Sequence, residues 1–121
     1  MILKIDDKDY EVSTSLGVAY EIESTKRKKI SDIMEESDNI ESMIDVLYFG
    51  FKKKNNIPFK EFKDIILNSD MGYVELSKEF AVFTNMLVST AKTEAEVRKF
   101  VEDAYDKKVE EATEELDNLK N

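Results

Sequence analysis

Residues 2–12 alternate in a way that no later stretch of this chain does. Ile2 to Ile5 alternates apolar and polar side chains, Asp6 to Asp9 carries turn chemistry, and Tyr10 to Val12 alternates again, so a β-hairpin is predicted at the start. From about Ser13 onward the apolar residues recur with helical spacing. A two-stranded hairpin is marginal alone in water, so this one must lie against the helices that follow. The order therefore predicts a mainly α fold in which an N-terminal β-hairpin packs on a bundle of four to five helices.

Few residues interrupt that helical stretch. Three glycines and one proline in 121 residues disfavour a sandwich or barrel with many tight turns and favour long helices with few joints. The length and the 41% hydrophobic content fit one core. Within it, residues 1–92 are expected to form the hairpin and helical core, and residues 93–121 an acidic C-terminal helix, extended or docked on a partner. Charge narrows the function: 18 basic against 27 acidic residues give a formal net charge of −9. Binding to a phosphate backbone needs a cationic face, so nucleic acid is disfavoured. No run approaches the roughly 20 apolar residues of a membrane span, and the first residues lack the order of a signal peptide, so no membrane is expected and the chain is read as cytosolic. The absence of cysteine leaves no disulfide framework, thiolate metal site or thiol nucleophile, and no cofactor is expected.

Along the chain, Ser13, Thr14 and Ser15 offer caps for a first helix with Leu16, Ala19, Tyr20 and Glu23 on one side and Val18 and Ile22 widening the apolar face. It ends near Lys26, Arg27, Lys28 and Lys29, where cations oppose the negative end of the helix dipole. Ile30 to Ser37 reads as a connection with room for one helical turn. Asp38 with Glu41 resembles a capping box, and Ile40, Met43, Ile44, Leu47, Tyr48 and Phe51 follow as one stripe. At about 1.5–3 kcal/mol for each buried side chain, that helix dominates the expected core. Lys52 to Lys54 close it, and Pro58 suits the first turn of a short helix bearing Phe59, Phe62, Ile65 and Ile66. Gly72 is available for a left-handed joint. A helix from about Tyr73 to Thr90 then carries Tyr73, Leu76, Phe80, Phe83 and Leu87. Thr93 with Glu96 opens the last helix, in which Val97, Phe100, Val101, Ala104 and Tyr105 are apolar. Beyond Asp106 only Val109, Ala112, Leu116 and Leu119 remain, a thin stripe in steps of three and four among acidic residues.

Carboxylate pairs such as Glu35 with Glu36, or Glu114 with Glu115, are the only catalytic material present in quantity. A general acid needs a pocket that raises its pKa, and these sit among charges, so they read as solvated surface and no catalytic residue is assigned. The acids of Asp6 to Asp9 lack the loop that a calcium site requires and read as a turn. The two lysine runs read as helix ends. Four positions stand out for protein contact. Phe49 lies off the main stripe of its helix, and Val109, Leu116 and Leu119 sit on a helix too thinly apolar to bury itself.

The opening Ile-Leu-Lys-Ile-Asp-Asp-Lys-Asp-Tyr-Glu-Val, followed by a helix, a linker, a strongly amphipathic helix, a short helix after Pro58 and another amphipathic helix, resembles the tail assembly chaperones of long-tailed bacteriophages and prophages. The resemblance covers about Ile2 to Val88. It implies a small, mainly helical, non-enzymatic protein that binds the long tape measure protein and helps tail tube subunits polymerise around it. It also implies residence in the host cytoplasm, absence from the finished virion, and in many members a longer form made by a −1 ribosomal frameshift. The final Leu119, Lys120, Asn121 is compatible with a slippery heptamer. A chaperone of this kind needs apolar grooves and a soluble surface, and side-by-side subunits would add up weak contacts along one tape measure molecule, so homo-oligomers are expected. Two other readings compete: an acidic inhibitor that mimics nucleic-acid charge, and a small structural subunit of the virion.

Overall fold

The elements follow in the order β1 (Ile2–Ile5), β2 (Lys8–Glu11), α1 (Leu16–Lys26), α2 (Ile30–Glu36), α3 (Ile40–Phe51), α4 (Phe59–Leu67), α5 (Tyr73–Val88) and α6 (Glu94–Lys120). This computed structural model describes residues 1–89 and 92–120. The protein is mainly α, with the hairpin packed against helices. The described residues form six helices because Ile30 to Glu36, expected as a connection, is a helix of its own. Ile30 and Ile33 bury their side chains, and a Glu23 carboxylate oxygen accepts from the Ile30 amide at 2.8 Å, which fixes where α2 begins. Thr90, where the helix from Tyr73 was expected to end, and Asn121 lie outside the described residues.

The hairpin is tighter than its sequence implied. Lys8 already pairs with Ile5, so the turn consists of Asp6 and Asp7 alone, at φ +50° and +65°. Two central residues with positive φ make a type I′ turn, whose twist matches that of the flanking strands. Aspartate tolerates the left-handed region better than most residues, and the Asp6 carboxylate also accepts from the Asp70 amide at 2.9 Å. Leu3 faces Tyr10 across the ladder, and both are buried with Ile5 and Val12. The hairpin thus lies on the helices by one face.

Helix α3 is the centre of the core. Met43, Ile44, Val46, Leu47 and Phe51 are buried on it, with Tyr48 half-buried and Ile40 exposed at its start. Its cap is one residue later than expected: Asn39 and Ser42 form the capping box, the Asn39 side chain accepting from the Ser42 amide at 2.9 Å. The Phe51 and Phe62 rings stack at 4.1 Å between centroids, joining α3 to α4, and Tyr10 of β2 approaches Phe51 at 5.6 Å. The Tyr48 hydroxyl donates to the Ile57 carbonyl at 2.9 Å, so its polar tip is satisfied where its ring is covered. Pro58 is the cap of α4 and not its first residue.

At Gly50 the backbone of α3 comes close to the chain leaving the hairpin and to α5. A Cβ placed there would collide with the Ser13 carbonyl oxygen and come within 2.7 Å of Phe83 and 2.8 Å of Val12. The Ser13 amide donates to the Gly50 carbonyl at 3.0 Å, so the chain leaving the hairpin is bonded directly onto α3 at this point. Gly72, by contrast, has φ −84° and caps α5 at its N-terminus; no left-handed glycine ends α4. Among the described residues, no helix is long and apolar enough to cross a membrane.

Candidate protein-interaction surfaces

Helix α1 buries only part of the face expected of it. Val18, Ala19 and Ile22 are buried, whereas Leu16 is 84% exposed and Tyr20 72% exposed. Leu16, Ala19, Tyr20 and Glu23 do share a side at helical spacing, but only Ala19 of them is buried. The β-branched pair Val18 and Ile22 makes a second stripe that overlaps the first, and the packing on α3 selects it. Leu16, Gly17, Ala19, Tyr20 and Glu23 with Ile30 then line an open groove of about 550 Å³, predominantly apolar. Leu16 and Tyr20, expected on the apolar side of α1, are thus exposed in this groove.

The basic runs that flank this region are mostly engaged. Lys52 and Lys53 pair with Glu21, Lys26 with Asp45, and Lys28 with Glu36. Lys52 first, and then Lys53, hold the Glu21 carboxyl below its ordinary pKa. Among the described residues, Arg27 and Lys29 make no ion pair. Arg27 closes α1 in the left-handed region, at φ +56°.

Helix α6 is clamped at its start and unaccompanied beyond. Val97 and Val101 bury against Val82 of α5, with Tyr105 half-buried at the edge. Arg98 donates to Glu79 of α5 at 3.0 Å, to Glu94 at 2.9 Å and to the Ile2 carbonyl of β1 at 2.6 Å. Glu94 in turn accepts from the Ile2 amide at 3.1 Å. Burial pushes the Glu94 carboxyl up in pKa, but the bonds from Arg98 and Ile2 together with the nearby positive charge outweigh it and hold Glu94 below its ordinary value. One cation and two carboxylates therefore tie α6 to both α5 and the hairpin. Helix α6 begins at Glu94, and its first three turns pack on the body.

The two helices run antiparallel, as the ion pairs Lys78 with Glu102 and Arg98 with Glu79 show. Helix α5 begins at Tyr73, so α6 outruns it just past Tyr105, and residues 106–119 are all exposed. This free length is roughly 20 Å at 1.5 Å per residue. Val109, Ala112, Leu116 and Leu119 continue the same face that Val97, Val101 and Tyr105 bury upstream, because every step between them is three or four residues. Leu119 is 83% exposed. The stripe is thus a packing face without a partner among the described residues.

Phe49 does not join that surface. It lies on α3, half-buried against the main core, with the Lys52 ammonium 4.9 Å from its ring centroid. A third apolar patch, absent from the sequence reading, is a shallow cleft between α3, α4 and α5 rimmed by the exposed Ile40, Leu67 and Tyr73. Tyr73 was expected in the core; its hydroxyl instead donates to the Asp38 carbonyl at 3.2 Å. Among the described residues, no group of three or more His, Cys, Asp or Glu side chains is arranged to hold a metal ion.

In comparisons with known proteins, the chain matches no family model, no curated protein and no solved structure.

Proposed function

We propose that this protein is a non-enzymatic tail assembly chaperone of a long-tailed bacteriophage or prophage. In this reading it binds the tape measure protein and promotes polymerisation of tail tube subunits around it. It acts as a homo-oligomer in the host cytoplasm and is left out of the finished virion. The reading rests on the resemblance of residues 2–88, and the observation that carries it furthest is the free half of α6. A preformed helix with one apolar stripe and an otherwise acidic surface is built to lie along another helix, the mode in which an elongated helical partner would be engaged. Weak contacts repeated along such a partner strengthen one another through effective concentration.

The test is to express the tagged chain in cells carrying its native neighbouring genes and to identify by mass spectrometry what co-purifies. Recovery of a very long helical protein together with tube subunits is expected. Recovery of a nuclease or DNA-binding protein in their place would move the assignment to the acidic inhibitor, and finding the chain in purified virions would move it to a structural subunit.

A further inference from the structure

We infer that α6 is a releasable strap over the outer edge of β1: it opens as one unit, with Arg98 as its latch, while the rest of the fold stays intact. The motion lies within one chain and does not depend on the partner proposed above. Its first ground is how the apolar contacts divide. The main core draws its buried side chains from β1 through α5, from Leu3 to Leu87, and none from α6 among the described residues. Val97 and Val101 of α6 belong to a second, small cluster, to which the body supplies Val82 as its one buried side chain among the described residues. A segment joined to its neighbours by few apolar contacts opens below the free energy of global unfolding.

What fastens the strap is mostly polar. Arg98 is shared among Glu79, Glu94 and the Ile2 carbonyl, and Lys78 reaches Glu102 across the seam at 2.9 Å. An open cleft of about 310 Å³, lined in part by Lys4, Glu79, Val82, Arg98 and Val101, runs beside these groups. One Glu79 oxygen is nonetheless buried without a hydrogen-bond donor among the described residues, so shutting the seam takes from water a charge that opening returns to it. Opening also uncovers a strand edge. The two-residue turn closes the ladder at Ile5 and Lys8, and Met1 exchanges both bonds with Val12, so the Ile2 and Lys4 backbone groups point away from β2. Glu94 accepts from the Ile2 amide and Arg98 donates to the Ile2 carbonyl, which is the pair of bonds a third strand would make. Held shut, the strap blocks strand addition at Ile2, the liability of an uncovered edge.

The chain has no cysteine, so a thiol placed under the strap reports its opening. Val82 is 2% exposed and packs on Val97 and Val101, and Val82→Cys in the full chain is labelled with a water-soluble disulfide reagent across a urea series. Circular dichroism on the same variant gives its global unfolding. Without urea the thiol should be reached at least about a hundredfold more often than global unfolding allows, and with less than about half its urea dependence, because opening exposes the α6 seam alone. Arg98→Met, which keeps an unbranched side chain and removes the charge, should speed that labelling at least about tenfold. Amide exchange at Val97 and Val101, set against Ile44 and Leu47 of α3 in the unsubstituted chain, makes the same comparison without a change at Val82. Labelling and exchange that follow global unfolding, with equal urea slopes, would show that α6 and the core form one cooperative unit and overturn the inference. An Arg98→Met protein labelled no faster would overturn the role given to the latch.

Discussion

Replacing Gly50 with Ala should destabilise the protein, against the usual direction for a glycine inside a helix. On intrinsic propensity the change stabilises α3 by about 1 kcal/mol. At this position the added methyl meets the Ser13 carbonyl oxygen, and lies 2.7 Å from Phe83 and 2.8 Å from Val12. Phe83 is buried and belongs to the main core, and Ser13 is backbone that is itself bonded to Gly50, so neither can rotate away. Overpacking of a tight core costs about 1–3 kcal/mol, and a backbone obstacle places this case at the upper end. The net loss is about 2 kcal/mol, a fall in Tm of roughly 6–12 °C for a domain of this size. Urea titration followed by circular dichroism measures it, with Gly17→Ala as the control. Gly17 has only the Ser15 hydroxyl, at 3.7 Å, near its missing Cβ, so that change should raise stability by about 0.5–1 kcal/mol. A Gly50→Ala protein as stable as wild type would show that the hairpin exit is not pinned to α3, and the account of how the hairpin is held would fail.

Leu47 is fully buried at the middle of α3, so Leu47→Ala should cost about 2–5 kcal/mol and Leu47→Asp should abolish the cooperative thermal transition; a folded Asp variant would contradict the placement of the core. Asp7→Gly removes a side chain held at φ +65° and gives the type I′ turn the residue it favours, so the urea midpoint should rise by the equivalent of a few tenths to about 1 kcal/mol. Glu94 has its pKa lowered in the folded state, so its contribution is present at neutral pH and is lost as the pH falls through that depressed value. Protection of the amides in residues 94–105, taken relative to their intrinsic exchange at each pH, should therefore fall below about pH 4, where an ordinary glutamate protonates, and Glu94→Gln should flatten that dependence. Unchanged exchange in the Gln variant would remove the clamp from the argument.

What the sequence disclosed, and what it did not, divides along physical lines. The hairpin was legible because an Asp-rich turn between two alternating runs is a local signal, and α3 because its stripe of apolar residues is unambiguous. On α1 the expected face took in the buried Val18, Ala19 and Ile22 but also the exposed Leu16 and Tyr20, because two stripes overlap and nothing within eleven residues says which one the rest of the fold will cover. The same ambiguity hid the groove, since a side chain assigned to the core is not considered for a surface. α2 was legible as no more than one turn of a connection because its helix is fixed from outside, by Glu23 bonding to Ile30. Gly50 carried no signal, because its close contacts are with Ser13 and Phe83, thirty-seven and thirty-three residues away. Phe49 and the α6 stripe both stood out as apolar residues without an obvious face, yet only the stripe is exposed along its length; the core half-covers Phe49.

The free half of α6 also raises the question of why it is helical when it buries nothing. A segment of about fifteen residues in isolation is marginal, because the first turn costs far more than those that follow. Here nucleation has already occurred on α5, where Val97 and Val101 are buried and Arg98 is held by Glu79, Glu94 and Ile2. Beyond Tyr105 the helix only propagates, through a stretch rich in Glu, Lys, Ala and Leu that favours it. The stripe of Val109, Leu116 and Leu119 is thereby presented preformed, and a partner need not supply the ordering entropy that a disordered tail would demand. The clamp at Arg98 and the exposed stripe at Leu116 are thus coupled through one continuous helix. Releasing the first loosens the second, even though some four to five helical turns separate them.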